Sequence, residues 1–184
     1  GRAAVEAALA RGHEVTLFNR GETNPELFPE AERLRGDRTG DLSALEGREW
    51  DAVLDPSGYI PAVVRGSAEL LADAAEHYLF ISSVSAYADL ARPNDEGGPL
   101  AELGDMPDDR LVEDFANYGA LKVLCERVVT EVYGEQGTIV RPGYVIGPYD
   151  HTGRFPWWAH RAARGGEMIV PATLARAFQA IDTR

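Results

Sequence analysis

The chain has 184 residues, 45% hydrophobic and 26% charged, values ordinary for a soluble globular protein of one domain or of one domain and part of a second. Thirty acidic against eighteen basic residues leave a formal charge of −12, which argues against a nucleic-acid partner, because phosphate-backbone binding draws on clustered Lys and Arg. There is no apolar run near the ~20 residues that span a bilayer and no leader-like opening, and a lone cysteine, Cys125, cannot close an internal disulfide, so a cytoplasmic protein without a membrane partner is expected.

In chain order, the Ala-rich stretch from Gly1 to Arg11, with Val5 and Leu9 at helical spacing, reads as a helix that Gly12 ends. Glu14 to Asn19 alternates and is β-prone, and a short strand is expected through Leu34 before Gly36-Asp37-Arg38. Trp50 to Asp55 reads as a strand halted by Pro56. Pro61 to Ala75 reads as an amphipathic helix offering Val64, Leu71 and Ala75 for packing. His77 to Ser82 is a nearly continuous apolar run, the pattern of a strand buried on both faces of a parallel sheet. From Val84 to Asn117 the chain is rich in Gly, Pro and acidic residues, either a solvated surface loop or a lid beside a site. A helix is expected over Tyr118 to Tyr133, a strand over Thr138 to Val140, and a last helix near Ala159 to Arg164. Strands alternating with helices at this spacing predict an α/β fold with a parallel sheet.

Tyr118-Gly119-Ala120-Leu121-Lys122 sets a tyrosine four residues before the only lysine in the chain, the other seventeen basic residues being arginine. On a helix the two side chains share a face, with their backbones ~6 Å apart along the axis. A phenol titrates near 10, and an ammonium ~4 Å away at an effective dielectric near 20 favours the phenolate by about 4 kcal/mol, enough to make the tyrosine a usable acid or base. The alternative is an exposed helix pair with no role. Ser82-Ser83-Val84-Ser85 follows the buried strand, where ligands of parallel sheets gather. A serine there either donates to a developing alkoxide or caps a helix.

Ile81-Ser82-Ser83-Val84-Ser85-Ala86-Tyr87, then Tyr118-x-x-x-Lys122, then Arg141-Pro142-Gly143-Tyr144-Val145-Ile146-Gly147-Pro148, in that order, resemble the extended short-chain dehydrogenase/reductases, the NAD-dependent epimerase/dehydratase family. The resemblance implies a doubly wound parallel sheet (Rossmann-type) lacking its first strand and most of its Gly-rich turn, with a dinucleotide-binding domain over 1–148 and the start of a small substrate lobe over 149–184. It also implies Ser83 as the catalytic serine, Tyr118 as the general acid/base, and Lys122 as both its pKa tuner and a clamp on the nicotinamide ribose. Pro142 and Val145 would line the nicotinamide site, Gly1 would be the last glycine of the phosphate turn, Asp37 and Arg38 resemble an adenine-contacting pair, and Pro56 and Ser57 would be cofactor-side turn residues.

At the end of the second family strand, where an Asp or Glu would bond the NAD ribose, stand Asn19 and Arg20. Arg20 is either a loop arginine or a partner for a 2′-phosphate, and NADP(H) is expected over NAD(H). In the tail, Tyr144, Tyr149 and Arg154 are candidate substrate contacts, with packing the alternative for the aromatics. Four histidines at no metal-like spacing, His151 included, give no metal site.

The function expected is hydride transfer at a carbonyl or hydroxyl carbon of a small molecule. The alternatives are a sugar-nucleotide epimerase or dehydratase using bound NAD transiently, and a non-catalytic dinucleotide-sensing or RNA-binding relative. Extended members of the family also dimerise through helices that include the one bearing the tyrosine, so a homodimer is implied.

Overall fold

The structure is a computed structural model and describes residues 1–104, 115–150, 152–170 and 179–184. Helix α1 (Arg2–Ala10) buries none of its residues and leads through a turn at Gly12 (φ +80°) into β1 (Thr16–Asn19). Strand β2 (Glu32–Arg35) pairs with β1 in parallel, Thr16 opposite Glu32 and Asn19 opposite Arg35. Strand β3 (Trp50–Asp55), helix α2 (Pro61–Leu70) and strand β4 (Ala75–Ile81) follow. Then come helix α3 (Tyr118–Tyr133) and strand β5 (Gly137–Val140), so that β3, β4 and β5 form a parallel three-stranded sheet with β4 in the middle. Strand β6 (Tyr144–Ile146) pairs in parallel with β7 (Ala180–Asp182), on either side of helix α4 (Arg154–Ala163).

Among the described residues every ladder between these strands is parallel, and helices pack on the sheet, the α/β architecture expected from the alternating elements. Among the described residues β1 pairs only with β2 and β3 only with β4, and on β3 Asp51, Ala52 and Leu54 stay exposed. Because β4 is paired on both sides, its inward residues Tyr78 and Phe80 are almost fully buried. They meet Val64 and Ala68 of α2 and Cys125 and Val129 of α3. Burying a side chain such as Phe80 contributes about 1.5–3 kcal/mol. The Tyr78 and Tyr133 rings pack 4.7 Å apart between centroids.

Several boundaries differ from the sequence reading. Helix α2 opens on Pro61, whose missing N–H costs nothing at a first turn, but it stops at Leu70 rather than Ala75. Ala75 instead opens β4, because it lies opposite Trp50 in the β3 ladder. Helix α4 starts at Arg154, earlier than Ala159, since Gly153 in a left-handed conformation (φ +62°) turns the chain into it and Pro156 falls in its first turn. Strands β6 and β7 were not anticipated. Among the described residues no helix is long and apolar enough to cross a membrane.

Candidate active site

The strongest cluster of chemistry lies where the carboxyl ends of β3, β4 and β5 meet the start of α3. Beyond its last residue β4 stays attached to β5's extension: Ser82 N–H donates to Val140 O (2.7 Å) and Val84 N–H to Pro142 O (3.0 Å). These bonds set Ser83 beside Pro142. Ser83 Oγ accepts from Ser85 N–H (3.1 Å), capping the 3-10 turn Val84–Ala86, and its side chain lies on the Tyr118 side of that turn. One side chain therefore both caps the turn and faces the tyrosine.

Tyr118 is the first residue of α3. The helix reaches the Val84–Ala86 turn closely because residue 119 is glycine: a Cβ there would overlap the Ser85 carbonyl oxygen. One turn further on, Lys122 is buried, and its ammonium donates to Gly58 O (2.5 Å) and Ile81 O (2.6 Å), 4.2 Å from the centre of the Phe80 ring. Gly58 fits because an added Cβ would strike Val64 and Phe80.

Burial pushes the Tyr118 phenol above its ordinary value, the Ser83 hydrogen bond only partly opposing this. Lys122 was expected to lower that phenol, but its ammonium is committed to the two backbone carbonyls instead. Burial likewise pushes Lys122 down and the Cys125 thiol up to about 12.

The other expected cofactor residues are more dispersed. Gly1 is exposed and α1 opens without a side-chain cap. Asn19 Oδ1 accepts from Gly21 N–H (2.8 Å), closing a local turn. Asp37 Oδ1 accepts from Thr39 N–H (2.9 Å) and the Thr39 hydroxyl (2.7 Å). Arg38 turns inward: its Nη1 and Nη2 donate to Asp55 at 2.7 and 2.8 Å and its Nη2 to Ser67 Oγ at 3.1 Å, while its buried Nε has no partner among the described residues. The guanidinium tip that was expected at an adenine is thus engaged beneath β3. Pro56 and Ser57 are exposed directly after β3, and Ser57 N–H donates to Asp55 Oδ1 (3.2 Å).

In the tail, Val145 is half exposed, Tyr144 partly buried in β6, and Tyr149 exposed with φ +69° and the Arg2 guanidinium 3.5 Å over its ring. Tyr149 therefore sits against the start of α1 rather than in a closed pocket. The Arg154 side chain and His151 lie outside what the structure describes.

Sequence reading missed the buried charges behind this edge. Glu126, one turn after Lys122, binds Arg141 and the Ser82 hydroxyl, and Asp55 binds Arg38 and Tyr78. The only signals for the first group were the four-residue spacing from Lys122 to Glu126 and the place of Arg141 just before Pro142.

The profile of the NAD dependent epimerase/dehydratase family matches residues 1–179. No curated protein matches the chain significantly. Among solved structures the chain is similar to MoeE5 in complex with UDP-glucose and NAD, with a TM-score of 0.70 and 16% identity over 100% of this chain and 65% of that one. It is similar to UDP-N-acetylglucosamine 4-epimerase from Bacillus cereus, with a TM-score of 0.70 and 15% identity over 100% of this chain and 63% of that one. It is also similar to a double mutant of DesIV, a dTDP-glucose 4,6-dehydratase from Streptomyces venezuelae with NAD bound, with a TM-score of 0.67 and 19% identity over 97% of this chain and 63% of that one. The chain thus spans 63–65% of the length of these proteins, and at such identities the likeness establishes the fold.

These findings correct the expected preference for NADP(H). The family is NAD dependent, and two of these three neighbours carry NAD. Locally, Arg20 faces Glu22 at 3.3 Å, with both side chains exposed. The strand–helix order, the parallel ladders and the profile match agree, and the chain belongs to the NAD dependent epimerase/dehydratase family.

Proposed function

We propose that the chain is the cofactor-binding part of an NAD-dependent oxidoreductase of epimerase or dehydratase type, acting at a carbonyl or hydroxyl carbon of a nucleotide-linked sugar. The observation that carries this reading is the convergence of Ser83 and Tyr118 at the carboxyl end of β4, beside the buried Lys122 ammonium. Ligands of open parallel sheets gather at that edge. NAD suits the residues present: the opening amides of α1 lack a side-chain cap and can face a pyrophosphate, and Asn19, whose Oδ1 accepts from Gly21 N–H, keeps its side-chain NH2 to donate to an uncharged ribose 2′-hydroxyl. Asp37, Arg38, Pro56, Ser57, Pro142 and Val145 are the further cofactor-side residues of this reading, and Tyr144, Tyr149 and Arg154 its substrate-side residues.

When bound, NAD supplies the hydride acceptor and, once reduced, the donor. In the oxidative half of the cycle the substrate hydroxyl would give its proton to Tyr118 as the phenolate while its carbon loses hydride, and in the reductive half the resulting phenol would return the proton to the ketone oxygen; burial raises the phenol and so favours this donor form. The Ser83 hydroxyl, beside the phenol, addresses the same substrate oxygen. Two of the three Lys122 protons are held by Gly58 and Ile81, leaving the third for a ribose hydroxyl. Residues 1–148 form the dinucleotide unit and 149–184 open the substrate lobe; the β6–β7 ladder crosses that boundary and ties the two together.

The test is Tyr118→Phe in the full-length chain, loaded with NAD and offered UDP-glucose or dTDP-glucose, with product formation and reduced nicotinamide absorbance followed together. Turnover is expected to fall by about 10²–10⁴-fold with an unchanged melt, as loss of a general acid/base does. Turnover retained in the Phe variant overturns the assignment.

A further inference from the structure

Three consecutive residues at the end of β4 are each held by a different residue along one face of α3. The Ile81 carbonyl accepts from Lys122 (2.6 Å), the Ser82 hydroxyl donates to Glu126, and the Ser83 hydroxyl meets Tyr118. Residues 118, 122 and 126 are spaced four apart, so they line one helix face. The Tyr118 assignment uses the first two. Glu126 remains unexplained: its side chain is 6% exposed and binds Arg141 in a fork, Nε at 3.0 Å and Nη2 at 2.6 Å. The Tyr87 ring covers that guanidinium at 4.8 Å.

Stability alone is a weak reason for such a pair. Removing two charges from water costs nearly what their attraction returns, and packed apolar side chains of similar volume commonly serve as well. What a carboxylate does that a leucine cannot is accept from two directions at once. Here one carboxylate on α3 accepts from Ser82, immediately before Ser83, and from Arg141, immediately before Pro142.

We propose that Glu126 is a positioning residue: through Ser82 and Arg141 it fixes the ends of β4 and β5 against α3, and thereby sets Ser83 and Pro142 relative to Tyr118. This rests on the reading of Ser83 and Tyr118 given above.

The test compares Ser82→Ala and the double variant Glu126→Leu/Arg141→Met with the parent full-length chain. The first measurement is amide hydrogen exchange, which needs neither substrate nor cofactor and so decides even if the Tyr118 reading fails. Exchange over residues 82–87 and 141–146 is expected to speed by about tenfold in Ser82→Ala, the worth of one hydrogen bond, and by more in the double variant. The second is steady-state kinetics of the NAD-loaded chain with the sugar nucleotide it turns over: kcat falls while KM holds, even in a double variant that melts like the parent. Unchanged exchange in both segments overturns the proposal. So does faster exchange with parental kcat, which would make the pair structural only. Should the double variant not fold, Ser82→Ala decides alone, since it leaves the ion pair intact. Turnover surviving Tyr118→Phe, alongside loosened strand ends in these variants, would remove the proposed function and leave the positioning role standing.

Discussion

Asp55 shows how one buried residue couples this fold to pH. It is 6% exposed, yet accepts from both terminal nitrogens of Arg38, from Tyr78 Oη at 3.0 Å and from Ser57 N–H at 3.2 Å. Burial alone would push its carboxyl up; the paired guanidinium outweighs that and holds it below the ordinary carboxylate value. A depressed folded pKa contributes stability that is complete above the unfolded pKa of about 3.9 and is lost as pH falls through the folded value. Asp55→Asn should therefore cost about 3 kcal/mol at neutral pH and flatten the acid limb of melting temperature against pH, since it leaves the Arg38 charge uncompensated. Thermal melts across the acid range check this, and an acid limb unchanged in the Asn variant would place the acid sensitivity elsewhere. None of this showed in the sequence, where Asp55 was only the last residue before Pro56 and Arg38 half of an adenine-contacting pair.

At the scale of elements, α3 was legible to the residue, from Tyr118 to Tyr133, because its apolar periodicity is long and Gly134 ends it with φ +52°. Its docking was not legible. The contact with the Val84–Ala86 turn depends on the absent side chain of Gly119, and a tyrosine–lysine spacing says nothing about that approach. Gly119→Ala should push α3 off the turn, costing about 1–3 kcal/mol as overpacking does. Its turnover should fall further than its stability explains, because the same contact sets Ser83 beside Tyr118. A melt paired with kinetics makes the comparison, and a variant with parental kcat would show that the contact can relax without moving the pair. Strands β6 and β7 were missed for a different reason: each is three residues long, too short to show a period of two, and every residue of β7 is exposed.

Over the whole molecule, the described packing is uneven. β4 is paired on both sides and roofed by α2 and α3, whereas β1–β2 and β6–β7 are two-stranded ladders, and α1 buries nothing. Opening free energies should follow that order, and native-state amide exchange should find β4 and the middle of α3 slowest and β6–β7 and α1 fastest. Equal protection in β1–β2 and β4 would mean that the two sheets open as one unit. The sequence by itself determined the α/β class, most of the elements and the site's chemical candidates, because periodicity, glycine and proline positions and the Ser83, Tyr118 and Lys122 motifs are local signals. It misjudged the cofactor, since an arginine after β1 does not by itself specify a 2′-phosphate, and the family match and the NAD-bearing neighbours point to NAD. What only the tertiary structure decided is which polar groups leave water together. The Lys122 ammonium between two carbonyls and the Glu126 carboxylate between Ser82 and Arg141 are set by contacts between residues 15 to 64 positions apart, and burial, which fixes their charge and strength, is a property of the packed chain.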